Sequence, residues 1–399
     1  LRYGSANGLA NGAPAEAVLG QANFTTAAAP SPTTAQSMNY ASGLCLDRQG
    51  RLWVADSDNN RVLMFAAASA IGNTTSANRV YGQPDFSSIT AATSATQMSF
   101  PRGLWVDSSD RLWVADSYNN RVLRFDDVSN KPSGAAASGV LGQPNFTTGT
   151  LGDGAASLNY PTGIAVSPSG ALFVASSINH RVVRFDHAAA LGNGGNASVI
   201  LGQQDFTSTG PGLSAIQMNG PHGLTVTPDD SLWVCEAYNN RVIRFDQASS
   251  KPSGAAANGV VGQPDFLTNT SNTTSQGLNF PFLSPFVDAT GSLWVPDHTN
   301  MRILRFPADT SKPVVVVTTK VKKKPIAKKV ITLKGMASDP NGITLVRYRV
   351  NKGALKTATG TTGWSFKAKL KKGRNNITVV ATDPWGDVSV DQIIKIKRK

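Results

Sequence analysis

Cysteine is almost missing from this chain: Cys45 and Cys235 are the only two in 399 residues. Two thiols build no disulfide framework, and neither sits in a C-x-x-C or zinc spacing, so thiolate metal chemistry is excluded. Both read as small buried fillers. Histidine occurs only four times, and Glu16 and Glu236 are the only glutamates before residue 313. No stretch approaches about 18 consecutive apolar residues, which excludes a membrane-spanning helix. What is plentiful is Gly (37) and Pro (22), with much Asn, Ser and Thr, a composition of short strands and many turns. At 40% hydrophobic the chain can bury a core, and its length suggests two or three domains.

The net charge of +13 is unevenly spread. Residues 312–399 carry 21 Lys and Arg against four acids, and the preceding part carries 17 against 21. A step of that size separates a basic appendage from a slightly acidic main body.

The main body is a repeat. The segment RLWVADSDNNRVLMF (51–65) recurs at 111–125, 171–185, 231–245 and 292–306, with Arg61, Arg121, Arg181, Arg241 and Arg302 spaced by 60, 60, 60 and 61 residues. A second marker, Gly-Gln-x-x-Phe, begins at Gly20, Gly82, Gly142, Gly202 and Gly262. Each unit reads as four short strands, a to d, apolar on both alternating positions, as suits sheets covered on both faces. Four-stranded sheets stacked radially satisfy that pattern and leave no long free edge.

The pattern Pro-x-Gly-[ILV]-x-[VL], then [LA]-[WF]-V-x-[DE], then Asn-x-Arg-[VI] resembles the NHL repeat, a propeller blade whose usual ring has six members. The expected fold is therefore all-β: a propeller of ~60-residue four-stranded blades over residues 1–310. Leu1-Arg2-Tyr3 aligns with Leu123-Arg124-Phe125, so the chain begins inside a strand c. The expectation is a first blade lacking strands a and b, and with them any signal peptide. The competing expectation is a five-bladed ring in which the strand around Val18 to Gln21 closes against the RILRF segment of the last unit.

What every blade shares should build the ring. Asp56 with Arg61, Asp116 with Arg121, Glu236 with Arg241 and Asp297 with Arg302 read as clamps of the b–c turn, with Ser176 leaving Arg181 to find another acceptor. Asn59, Asn119, Asn179 and Asn239 are expected to make turn hydrogen bonds or to adopt left-handed backbone. What differs between blades on one face can build a site. The residue inside Pro-x-Gly is Ser42, Arg102, Thr162, His222 and Phe282 in turn. The b–c turns add Asp58, Tyr118, Ile178 with His180, Tyr238 and His298. Together they offer a cation, imidazoles and aromatic walls at a channel mouth. The blade from Gly220 to Phe266 departs most, with Gly220 for an aromatic and Cys235 for an alanine.

Enzymes similar to this family, lyases and lactonases, hold a channel metal on His or acids of inner strands. The inner strands here, GLCLDRQ, GLWVDSS, GIAVSPS and GLTVTPD, lack that set, so no metal ligands or cofactor are assigned, although a channel Zn²⁺ or Ca²⁺ stays open. RNA-binding relatives carry a basic top face, whereas this body is acidic with Arg102 as its one obvious top-face cation.

After a Lys/Pro-rich linker and first strand (311–329), residues 330–399 alternate apolar and lysine, as in FKAKLK and IKIK. The turns GMASDPNGI and GRNNITVVATDPWGDVS resemble bacterial Ig-like modules, implying a small β-sandwich with Trp364 and Tyr348 in its core. The leading expectation is a secreted or cell-surface bacterial binding scaffold for a protein, peptide or glycan. The alternatives are a lyase or lactonase near His222 and Arg102, and binding of anionic envelope polymers by the basic module.

Overall fold

The computed structural model describes residues 1–3, 13–29, 31–308, 311–321, 325–339, 342–383 and 387–399. Lys322–Lys324 of the linker, and Pro340, Asn341 and Pro384–Gly386 of the Ig-like turn signatures, lie outside the described residues.

Each 60-residue unit folds into one antiparallel meander. The first blade is β1 (Ala41–Leu46), β2 (Leu52–Asp56), β3 (Arg61–Phe65) and β4 (Arg79–Tyr81), hydrogen-bonded in that order. The second is β5 (Pro101–Val106), β6 (Leu112–Asp116), β7 (Arg121–Phe125) and β8 (Gly139–Leu141). The third is β9 (Pro161–Val166), β10 (Leu172–Ser176), β11 (Arg181–Phe185) and β12 (Val199–Leu201). The fourth is β13 (Pro221–Val226), β14 (Leu232–Glu236), β15 (Arg241–Phe245) and β16 (Gly259–Val261). The fifth has three strands, β17 (Phe286–Val287), β18 (Leu293–Asp297) and β19 (Arg302–Phe306).

Alternate positions on β6, β10 and β14 are all buried, because each face of a blade meets a neighbouring blade rather than water. Between the first two blades, Trp53, Val62, Met64 and Tyr81 pack on Leu104, Leu112, Val114 and Phe125. Full burial of such side chains is worth about 1.5–3 kcal/mol each, so the inter-blade seams carry most of the fold's stabilisation.

The innermost strands meet at the axis through the repeated glycine. A Cβ at Gly43 would lie 2.0 Å from the Arg102 carbonyl oxygen, one at Gly103 2.2 Å from that of Thr162, and one at Gly163 2.2 Å from that of His222. At Gly223 the same atom would lie 2.3 Å from the Leu283 backbone. Glycine is thus required by proximity of the next blade's backbone, not by φ. The axial cavity that remains is only about 30 Å³, room for about one water.

The N-terminal residues answer the closure question. Ala17 pairs with Arg2, in the register by which Gly139 pairs with Arg124, so Arg2 and Ala17 behave as strands c and d of a further, partial blade. Among the described residues no ladder joins residues 18–21 to β19, and the five-bladed closure through that strand is not made. The seam is open instead: Leu44 and Leu46 on β1, and Phe286 and Ile303 on the fifth blade, are more than 60% exposed, whereas Leu104 and Leu224 at the matching place of Leu44 are 5% and 1% exposed.

The C-terminal module is two sheets. β20 (Val314–Val317), β21 (Val330–Ser338) and β24 (Gly363–Lys369) form one; β23 (Lys356–Thr357), β22 (Leu345–Val350), β25 (Gly373–Thr382) and β26 (Gln392–Arg398) form the other. Trp364 is buried between them and Tyr348 stacks on Phe366 at 3.7 Å, so both aromatics belong to the core. Lys367, Lys369, Lys395 and Lys397 point out while their alternates point in.

Gly103→Ala is expected to lower the stability of the propeller by about 1–3 kcal/mol, the usual cost of overpacking. Gly72→Ala, whose new Cβ meets nothing within 4 Å, should leave it unchanged. Thermal unfolding followed by circular dichroism checks both; equal midpoints for the two variants would contradict the close-approach argument.

Candidate functional site

The shared residues are consumed by the ring. In the first blade the Arg61 Nε donates to Asp56 Oδ2 at 2.7 Å, and its Nη2 donates to the carbonyls of Thr34 (2.9 Å) and Ser37 (2.8 Å). Its Nη1 holds the Phe86 carbonyl, the phenylalanine of the Gly-Gln-x-x-Phe marker. Asp56 also accepts from the Asn39 backbone N–H at 2.6 Å and from Asn59 Nδ2 at 2.9 Å. Arg121 with Asp116 and Arg241 with Glu236 repeat this network, with both side chains of each pair fully buried. On the fifth blade Arg302 repeats the ion pair with Asp297 at 2.7 Å, but it is partly exposed and its Nη1 holds the Thr273 carbonyl. A buried charge so completely hydrogen-bonded is tolerated, and removing one partner costs about 3–5 kcal/mol.

The third blade departs as the sequence indicates. With Ser176 in place of the acid, Arg181 Nε has no partner among the described residues, its Nη2 reaches Gly154 and Ser157 only at 3.3 and 3.5 Å, and burial lowers its pKa to about 10.

The asparagines divide their roles between two positions. Asn59, Asn119 and Asn239 hold the clamp acid, while Asn179, facing Ser176, donates to the Gly152 carbonyl. The left-handed residue is the following one: Asn60, Asn120, His180 and Asn240 have φ between 50° and 54°. Each reaches the next blade. Asn60 accepts from the Phe100 N–H at 2.8 Å, Asn120 from Tyr160 at 2.9 Å and Asn240 from Phe280 at 2.8 Å. His180 does the same through Nδ1, accepting from the Gly220 N–H at 3.0 Å, so it joins blades as well as lining the mouth. The marker glutamines are equally occupied: Gln83 Nε2 donates to the carbonyls of Asn60 and Thr90 at 3.0 and 2.9 Å.

The variable residues gather at one mouth of the ring, but with unequal freedom. Ser42 shares a hydrogen bond with Ser57 in the turn of its own blade and donates to the Pro101 carbonyl at 3.4 Å, and the Thr162 hydroxyl donates to the His222 carbonyl at 3.1 Å, so both reach the next inner strand. His222 is 5% exposed, lies 3.1 Å from Ser177 Oγ through Nε2, leaves Nδ1 without a partner and packs on Phe282 at 4.2 Å. Burial, then the nearby Arg102, lowers its pKa to about 3. Arg102 has no ion pair among the described residues, and its Nε is buried without an acceptor. Its guanidinium lies over three rings, Phe100 at 4.8 Å, Phe282 at 4.9 Å and Tyr160 at 5.3 Å. Burial raises the Tyr160 pKa and Arg102 draws it back.

Two aromatic arcs meet at that guanidinium. One runs Tyr40, Phe100, Tyr118, Tyr160 with ring centroids 5.7, 4.6 and 5.8 Å apart. The other joins His222, Phe282, Phe280, Tyr238 and His298, Phe280 standing 5.5 Å from Phe282 and 5.4 Å from Tyr238. Gly220 explains how Tyr238 enters: a Cβ there would lie 2.2 Å from its ring. The missing aromatic is therefore replaced from the turn below it. Arg102, Tyr160, Ile178, His222, Tyr238 and Phe282 are among the residues around a cavity of about 540 Å³, a size suited to a small ligand. Sequence spacing pointed to the residues within Pro-x-Gly and the turns, and missed Phe100, Tyr160 and Phe280, which repeat from blade to blade and so looked purely structural.

Cys235 is fully buried among Trp233, Val242 and Val295, and burial pushes its thiol far up; the Cys45 thiol is pushed up to about 11. Cys235 packs as a buried filler, whereas Cys45 is only half-buried beside the first inter-blade core, its sulfur accepting from the Val106 N–H at 3.4 Å. Among the described residues no three His, Cys, Asp or Glu side chains converge as a metal set.

Repeated four-stranded sheets around a common axis define a β-propeller. The chain carries NHL repeats: the repeat pattern matches residues 38–65, 98–125, 158–185 and 218–245. No curated protein matches the chain. Among solved structures it is similar to virginiamycin B lyase from Staphylococcus aureus (16% identity, 70% of this chain and 88% of that one, TM-score 0.39). It is also similar to a protein of unknown function from Bacteroides caccae (10% identity, 64% and 70% coverage, TM-score 0.40). The C-terminal part is similar to fibronectin(III)-like modules of Clostridium thermocellum CbhA (21% identity, 22% and 97% coverage, TM-score 0.19).

Two expectations follow. Ser176→Asp supplies the acid that Arg181 lacks and should stabilise the propeller by about 1–3 kcal/mol in denaturant titrations; a loss of stability would show that the third blade is built around the serine. His222 should stay neutral down to roughly pH 4, its ring signals constant in NMR. The unfolded chain protonates it near 6.5 and the folded one only near 3, so its contribution is complete above 6.5 and is lost as pH falls toward 3. A His222 signal titrating near neutrality would contradict the burial.

Proposed function

We propose that this propeller is a binding scaffold of the cell exterior that captures a glycan, peptide or protein partner at the mouth ringed by the two aromatic arcs. The observation that carries the reading is the convergence at Arg102. A cation without a carboxylate partner stands where Tyr118 and Tyr238, each more than half exposed, open to solvent. Exposed stacked aromatics rimmed by polar groups are features of recognition surfaces.

The enzyme reading turns on Ser177 and His222, the nearest approach to a nucleophile and base at the mouth. Ser57 and Ser117, at the place of Ser177 in other blades, donate to the carbonyls of Pro101 and Pro161 at 2.6 Å, which makes that serine part of the ring. Among the described residues His222 has no acid on Nδ1 to orient it, and an imidazole whose pKa is lowered to about 3 is a poor general base at neutral pH.

A second reading concerns the C-terminal module. Lys397 faces Arg374 directly across the β25–β26 ladder, both exposed. Like charges opposed in this way cost stability and favour an anionic partner.

Screening the full chain on glycan and peptide arrays, alone and as Arg102→Ala and His222→Ala, tests the leading reading. Binding should weaken in both variants; unchanged binding in both removes the mouth as the site. Retention on heparin that is lost in Lys395→Gln/Lys397→Gln but kept in Arg102→Ala assigns the anion surface to the module.

A further inference from the structure

Arg102, on an inner strand, is unlike the acid-paired arginines that begin the third strands. Arg61, Arg121, Arg241 and Arg302 each satisfy an acid and two or more carbonyls. At Arg102, by contrast, three ring faces surround the guanidinium, its Nε is buried without an acceptor, and no described carboxylate approaches. Aromatic faces attract the cation but accept no strong hydrogen bond in its plane, so the planar fork is held and oriented while its Nε stays without an acceptor among the described residues. A buried donor left in this state calls for an acceptor from outside.

The surroundings narrow what that acceptor is. Among the described residues Arg102 is the one Lys or Arg around the cavity, and burial lowers the pKa of both imidazoles there, His222 and His180, favouring their neutral forms, so the site offers a single fixed positive charge. A carboxylate matches one guanidinium in charge and bidentate geometry, whereas a phosphate dianion calls for more cations. The walls are ring faces: Tyr160, Tyr238 and Phe282 border the cavity, and Tyr40 and Tyr118, 51% and 56% exposed, extend the platform beyond it. Such faces suit the C–H side of a sugar ring, whose hydroxyls remain free for Asn219 at the rim. The unpartnered Nδ1 of His222 adds one further hydrogen-bonding atom beside the cation. An acidic peptide would bring several carboxylates to a site with one cation.

On the reading that this mouth binds, we infer that it takes a carboxylate-bearing sugar ring, a uronate unit of an acidic glycan, with the carboxylate on Arg102 and the ring against the tyrosines.

Isothermal titration of the full chain with trigalacturonate tests this, in salt high enough to screen the C-terminal lysines. Its methyl-esterified form, neutral galactotriose and a glutamate hexapeptide serve as the comparison probes. Trigalacturonate is expected to bind, to weaken about tenfold or more on esterification or in Arg102→Gln, and to weaken in Tyr118→Ala. Arg102→Lys, which keeps the charge and loses the fork, should fall between wild type and Arg102→Gln, and circular dichroism melting of each variant shows that the ring is intact. Equal binding of trigalacturonate to wild type and Arg102→Gln overturns the inference and places the anion elsewhere. Binding of the neutral sugar or the peptide in preference, still lost in Tyr118→Ala, overturns the ligand class and leaves the binding face standing. No binding of any probe overturns the inference; if the arrays are also blank, the binding reading falls with it.

Discussion

Everything in this propeller hangs on an arginine taken out of water at the start of the third strand in each of the first four blades, three of the four paired with an acid. Its Nε engages the acid that ends the second strand, and its two amino groups hold carbonyls from the Phe of the Gly-Gln-x-x-Phe loop and from the segment leading to the blade's first strand. One side chain thus fixes three loops that share no secondary structure. The cost of burying the charge is offset because nearly every donor is satisfied, and the fold acquires a rigid rim on the face where the d–a and b–c connections converge.

That rim allows the mouth to differ from blade to blade. The backbone at Ser42, Arg102, Thr162 and His222 is set by glycine-mediated contact with the next inner strand, closer than any Cβ permits. With the main chain held, the side chain at that position is free to change without moving the ring. Serine and threonine there bond the next inner strand, whereas arginine reaches over to three rings. Rigid support beneath a variable shell is the arrangement that holds ligand-contacting groups in place.

Much of this was legible in the sequence. Period and register follow from the Arg and Gly-Gln-x-x-Phe series, and the acid–arginine pairing from constant spacing within each unit, because both reflect contacts within one blade or identical ones between blades. What escaped depends on distances between unlike blades. The partner of Asn60 is the N–H of Phe100, forty residues on, so the left-handed position looked one residue too early. His180 appeared as a ligand candidate because it breaks the Asn pattern, yet its Nδ1 performs the asparagine's task. The cage around Arg102 draws on Phe282 from a blade that is not its neighbour in sequence, and no local spacing reports such a contact. The open seam beside β1 and β19 is likewise a property of the assembled ring, invisible in any single unit.

The most direct measurement of the central claim is hydrogen exchange of the arginine Nε–H protons, followed by NMR on protein labelled selectively with ¹⁵N-arginine. If buried clamps hold the ring, Arg61, Arg121 and Arg241 give resolved Nε–H signals that persist in D₂O for hours, while Arg181, which lacks its acid, loses protection much sooner. Uniformly fast exchange at all four would mean that the arginines are not locked and that the rim beneath the mouth is held by something else.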